Sequence, residues 1–179
     1  MTQPQYHALK MTLMMQAALA EARKCEPVPT AFSVGCVIAV PWPNNDSDPT
    51  IISTGYSREL PGNTHAEANA LHKYTQLTAA ELAALFKGPN PPSVSDIASR
   101  LDVYTTMEPC SVRTSGLAPC ADALIAAKIR RCFIGTGEPD DFVQCEGAER
   151  LKNAGIELVW LDSLQEECLA VARNGHHEV

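Results

Sequence analysis

The sequence has no apolar run approaching the roughly 20 residues that a membrane-spanning helix needs, which argues against a helical membrane protein. It has no basic surplus either. Lys and Arg total 14 against 21 Asp and Glu, for a formal net charge of -7. A long nucleic-acid groove wants clustered cations, so a nucleic-acid partner is not expected. The opening MTQPQYHALK lacks an apolar stretch behind a basic start. No internal repeat and no low-complexity tail is visible. The seven cysteines are odd in number and show no disulfide spacing, which points to a reducing compartment. These readings predict a cytoplasmic protein.

What is present suits one globular domain over residues 1–179: 45% hydrophobic and 20% charged residues, with length enough for a substantial core. Residues 6–25, rich in Ala, Leu, Met and Lys, read as an amphipathic helix stopped by Pro27 and Pro29. The β-branched run 32–40 reads as a buried strand, and 50–56 as its hairpin return across the turn-rich PWPNNDSDP. Helices are expected over 64–74 and 78–87, then a surface loop GPNPPSVSD. From there strand and helix alternate: strands at 101–106, 131–136 and 156–160, helices at 119–128, 144–153 and 163–172. Gly155 is the expected stop of the second of these helices. Alternation predicts parallel strands and the hairpin adds an antiparallel edge. The expected fold is a three-layer α/β/α sandwich around a mixed five-stranded sheet.

Two segments carry chemistry: THAEANAL at 64–71 and TMEPCSVRTSGLAPC at 106–120. They supply His65, Glu67, Cys110 and Cys120. Zinc favours imidazole and thiolate donors in a tetrahedral site, and three protein ligands leave the fourth position to water, as in catalytic sites. Two thiolates and a neutral His65 balance the charge of Zn²⁺. Helix starts stabilise thiolates, and both cysteines are expected near one. His65 and Glu67 are expected in the first turn of their helix. Their two-residue spacing turns Glu67 away from the metal that His65 binds, placing the carboxylate beside the water. The order H-x-E then P-C-x-x-C is the signature of zinc deaminases, with the Glu as acid and base. One departure stands out. Nine residues, SVRTSGLAP, separate Cys110 from Cys120 instead of two, and must loop out at the rim where substrate is read.

The segments TAFSVGCVI (30–38), GYSRELPGNTHAEANAL (55–71), TTMEPCSVRTSGLAPC (105–120) and IGTGEPDDFV (134–143) resemble the cytidine deaminase-like superfamily. Within it they look like the fungal riboflavin-pathway pyrimidine deaminases, which share the long loop between cysteines. The resemblance implies a substrate, 2,5-diamino-6-ribitylamino-4(3H)-pyrimidinone 5′-phosphate. Its 2-amino group would leave as ammonia, giving 5-amino-6-ribitylamino-uracil 5′-phosphate. It also implies zinc as cofactor, a homodimer, and a deaminase that stands alone or forms part of a longer protein. The rival readings are a cytidine or deoxycytidylate deaminase, a nucleic-acid base deaminase, and an inactive zinc scaffold.

Further residues have two readings each. Arg113 either contacts substrate, at its phosphate or a ring oxygen, or is a solvated loop residue. Asn63 either contacts the sugar-like chain or caps the adjoining helix. Arg58 either guides the anionic substrate or serves the surface. Cys36, Cys132 and Cys168 sit in apolar patterns and are expected in the core. Cys25 and Cys145 have no assigned role. His72 is expected at a surface or interface. His176 and His177 either fold over the pocket or fray.

Overall fold

The computed structural model describes residues 2–87, 90–113, 116–138 and 146–175. Helix α1 (Gln3–Ala22) leads to an antiparallel hairpin of β1 (Gly35–Pro41) and β2 (Pro49–Tyr56). Then come α2 (Ala66–Thr75), α3 (Ala79–Leu85), α4 (Val94–Ile97) and β3 (Asp102–Met107). The chain continues with α5 (Cys120–Ala126), β4 (Arg131–Thr136), α6 (Gly147–Asn153), β5 (Glu157–Trp160) and α7 (Gln165–Ala172). The sheet order is β2-β1-β3-β4-β5. β1 runs antiparallel to both neighbours, whereas β3, β4 and β5 are mutually parallel. The mixed five-stranded sheet expected from the sequence is therefore present. Among the described residues no helix is long and apolar enough to cross a membrane.

The central strands are buried on both faces, and side-chain alternation sorts them into two cores. Cys36, Ile38, Val40, Val103, Cys132 and Ile134 pack with Ala66, Ala70, Leu124 and Leu151 from α2, α5 and α6. Val37, Ala39, Tyr104 and Phe133 pack on the other face with Met15, Leu19 and Cys168 from α1 and α7. The Tyr104 and Phe133 rings stack at 4.2 Å between centroids. Each fully buried aliphatic side chain here contributes roughly 1.5–3 kcal/mol. Cys36, Cys132 and Cys168 are core residues, as their apolar settings suggested.

Two glycines set how closely helices approach the hairpin. A Cβ on Gly35 would lie 2.0 Å from the Ala18 carbonyl oxygen of α1. One on Gly55 would lie 2.3 Å from the Ala66 carbonyl oxygen of α2. These are backbone contacts that cannot swing aside, so each glycine lets a helix rest directly on the sheet.

One segment departs from the sequence expectation. GPNPPSVSD was expected as loop alone, and residues 88–89 lie outside those described. Its end starts α4, where Ser93 Oγ accepts the Asp96 N–H and the Asp96 carboxylate accepts the Ser93 N–H. That reciprocal capping, together with full burial of Ile97, holds a single turn that a Pro-rich composition conceals. Gly155 does end α6, at φ +84°.

Gly35→Ala and Gly55→Ala should each lower stability by about 3 kcal/mol or prevent folding. Urea unfolding midpoints of the two variants against the parent check this, and an unchanged midpoint refutes it.

Candidate active site

β2, β3 and β4 point their C-terminal ends to one edge of the sheet, the edge where ligands collect in open α/β sheets. β2 feeds the loop that leads into α2. His65 is the N-cap residue of α2, extended at φ -95° and ψ 153°, and Glu67 lies in the first turn. This corrects two readings. His65 precedes the first turn instead of lying in it. Asn63 does not cap the helix, because the cap position falls two residues later. The extended backbone at His65 sends the imidazole out of the helix while Glu67 stays over the sheet.

β3 ends at Met107, and Glu108-Pro109-Cys110 follows. Glu108 N–H donates to the Thr136 carbonyl, and Glu108 Oε1 accepts the Ala148 N–H at 2.8 Å, capping the first turn of α6. Ser111 Oγ accepts the Glu146 N–H. These bonds fix the turn that presents Cys110. The nine-residue insert then returns the chain to Cys120, the first residue of α5. The Cys120 N–H donates to Cys110 Sγ at 3.3 Å, and the Ala121 N–H donates to the Cys110 carbonyl.

Three donor atoms converge there. His65 Nδ1 lies 3.5 Å from Cys110 Sγ and 3.5 Å from Cys120 Sγ, and all three donors fall within 4.8 Å of one another. A tetrahedral ion with bonds of about 2.3 Å to sulfur and about 2.0–2.1 Å to nitrogen spaces a nitrogen and a sulfur roughly 3.5 Å apart. The donor set and its spacing fit a zinc-sized ion.

The electrostatics of the triad follow from this crowding. The Cys120 thiol beside it holds Cys110 down to about 4, with the His65 imidazole and the Cys120 N–H assisting against burial. Cys120 is pushed up in turn, by its neighbour and by burial. The pair thus sheds one proton easily and resists losing the second until a cation arrives. The Cys110 sulfur raises the His65 imidazole, opposed by burial. Burial raises the Glu67 carboxyl, opposed by His65.

The triad opens on a cavity of about 310 Å³, which Glu67, Phe32, Arg58, Asn63 and Arg113 help to line. Arg113 Nη2 donates to the Asn63 carbonyl at 2.7 Å, joining the insert to the loop ahead of α2. Arg58 sits at φ +63° and donates from Nη1 to the Phe32 carbonyl and from Nη2 to the Glu26 carbonyl, bracing the 26–33 wall. Of the seven site residues named from the sequence, six line this cavity and the seventh, Cys120, clusters with His65 and Cys110 beside it. Sequence reasoning missed Thr105, Glu108 and Phe32 here. Glu108 sits inside the quoted TMEPC motif, so its position carried a signal. Thr105 looked like any strand residue. His72 is exposed on α2, Cys25 is buried with Sγ 3.6 Å from the Val34 carbonyl, and Cys145, His176 and His177 lie outside the described residues.

A mixed sheet that brings a nitrogen and two sulfurs together at helix starts, with a buried carboxylate alongside, is the architecture of the zinc-binding base deaminases. The chain belongs to the family described as the cytidine and deoxycytidylate deaminase zinc-binding region, whose model matches residues 10–136. It is 41% identical over 162 residues to the diaminohydroxyphosphoribosylamino-pyrimidine deaminase of Schizosaccharomyces pombe, covering 90% of this chain and 35% of that one. It is 33% identical over 139 residues to the riboflavin biosynthesis protein RibD of Actinobacillus pleuropneumoniae, covering 77% and 29%. The chain thus spans about a third of the length of these curated relatives. A crystal structure of Aspergillus oryzae Rib2 deaminase in complex with DARIPP superposes with a TM-score of 0.73 at 32% identity, covering 94% and 92%.

In metal-free protein, Cys110 should react with iodoacetamide at a rate nearly constant between pH 5 and 7, since its thiolate is already formed above about 4. An ordinary thiol, near 8.5, would slow about tenfold per unit of acidification. Burial pushes up the Cys36 and Cys132 thiols, which should stay unlabelled. Peptide mapping decides, and a tenfold-per-unit slope at Cys110 refutes the assignment.

Proposed function

We propose that this chain hydrolytically deaminates 2,5-diamino-6-ribitylamino-4(3H)-pyrimidinone 5′-phosphate to 5-amino-6-ribitylamino-uracil 5′-phosphate and ammonia, a step of riboflavin biosynthesis. The observation that carries this reading is the buried Glu67 carboxyl sharing one cavity with the His65 and Cys110 donors, which cluster with Cys120 behind them. The name of the fission yeast relative and the DARIPP complex of the Aspergillus enzyme support the substrate class. So does the long Cys110–Cys120 insert, which supplies Val112 and Arg113 to the cavity wall.

In this reading His65 through Nδ1, Cys110 and Cys120 would hold zinc, which would supply Lewis-acid activation of water at neutral pH. Glu67 takes one proton from the attacking water and passes it to the ring nitrogen as the oxygen bonds the ring carbon. It then takes the second proton from that new hydroxyl and delivers it to the 2-amino group, which leaves as ammonia as the carbonyl forms. The Cys120 N–H stabilises the Cys110 thiolate and keeps both donors in register with α5. Arg113 and Arg58 bring positive charge to the cavity that receives the phosphorylated substrate, and Asn63 meets its ribityl chain. The chain acts as one deaminase unit, as a homodimer, in the cytoplasm.

Purified protein given the ribitylamino-pyrimidinone phosphate should release ammonia, with cytidine, deoxycytidylate and RNA as comparison substrates. No release from protein with stoichiometric zinc overturns the substrate assignment. Glu67→Gln should cut kcat by about 10²–10⁴-fold or more while zinc content stays at one per chain. Cys110→Ser should instead lower the zinc content itself, read by elemental analysis. Light scattering at micromolar concentration tests the dimer, and a monomer mass refutes it.

A further inference from the structure

Glu67 must aim its carboxyl at the reacting atoms, yet it sits on a helix and has its own side-chain rotations to lose. One hydroxyl reaches it from the sheet. Thr105 Oγ1 lies 3.0 Å from Glu67 Oε1 and 2.9 Å from the Met107 carbonyl oxygen. We propose that Thr105 is a positioning residue for the deamination, fixing the Glu67 carboxyl from below through its hydroxyl. The inference rests on the functional reading above and adds a residue to it.

Thr105 is built to hold still. It is fully buried in β3 and is paired on one side with Cys36 of β1 and on the other with Ile134 of β4. Its backbone is thus fixed by a ladder on each flank. A β-branched side chain has few χ1 positions open to it, so the hydroxyl direction is set along with the backbone. Glu67 is itself 3% exposed. A buried carboxyl with no partner would be costly, and holding one of its oxygens fixes where the other points.

The second contact gives the hydroxyl a use in both halves of a proton transfer. Its single hydrogen has two acceptors within reach. The Met107 carbonyl can only accept. The Glu67 carboxyl accepts when it is ionised and can donate when it carries a proton. With Glu67 ionised, Thr105 donates to it. With Glu67 protonated, Thr105 can turn its hydrogen to Met107 and accept from Glu67. The carboxyl keeps one partner and one orientation as its proton comes and goes. Valine has the same shape and offers neither bond.

The test compares Thr105→Val, Thr105→Ser and Thr105→Ala, measured as zinc content, kcat, KM and the position of Glu67 in crystals. Thr105→Val and Thr105→Ala should lower kcat roughly tenfold or more with KM and zinc content near those of the parent, because orientation of the acid–base group is lost while the binding surface stays. Thr105→Ser restores the oxygen and should recover most of the rate. Should the valine variant fail to fold, the Ser–Ala pair still isolates the hydroxyl. Equal kcat for Ser and Ala overturns the proposal. If the parent, loaded with zinc, releases no ammonia, the functional reading falls. Crystals then decide Thr105 separately: a Glu67 carboxyl that turns away in the alanine variant supports the proposal, and one that stays in place overturns it.

Discussion

Two sulfurs and an imidazole nitrogen stand about as close as a tetrahedral ion would hold them, and everything else at this edge of the sheet serves that crowding. Such an arrangement repels itself once charged. The fold offsets the repulsion locally, with the amide at the start of α5 on one thiolate and an imidazole beside both sulfurs. The donors come from places far apart in the chain, so their meeting depends on how closely α2 and α5 press on β1, β2 and β3. Gly55 is the point where α2 touches the sheet without a side chain between. A packing contact at the residue before Glu67 therefore governs where the carboxyl sits.

Much of this was legible beforehand. The alternation after residue 100 announced parallel strands, and the PWPNNDSDP turn announced the antiparallel edge. His65, Glu67, Cys110 and Cys120 were legible because zinc chemistry restricts residue type and order. Helix ends were less legible. The turn at Val94–Ile97 hides behind prolines, since its stability comes from reciprocal capping by Ser93 and Asp96 and from one buried isoleucine. His65 looked helical and instead takes the extended N-cap position, because backbone angles at a helix entry depend on the loop that arrives there.

The remaining residues were hidden for a different reason. Thr105 and Phe32 touch the site only through tertiary placement, and nothing about a threonine in a strand marks it as facing a carboxylate. Arg58 shows the converse. Its charge invited a role with an anionic substrate, and it does line the cavity. Its two outer nitrogens also bond carbonyl oxygens at Glu26 and Phe32, so its position is held by the wall it braces. Charge in a sequence gives sign and reach but not which acceptor wins.

The bond from Arg113 to the Asn63 carbonyl divides the long insert into unequal parts. Its first residues are fastened to the loop that delivers His65, and Cys120 is locked by α5. Both anchors make their bonds to partners outside the insert, so its length and composition can drift without disturbing the donors, and it is the natural place for relatives of one chemistry to diverge in what they accept.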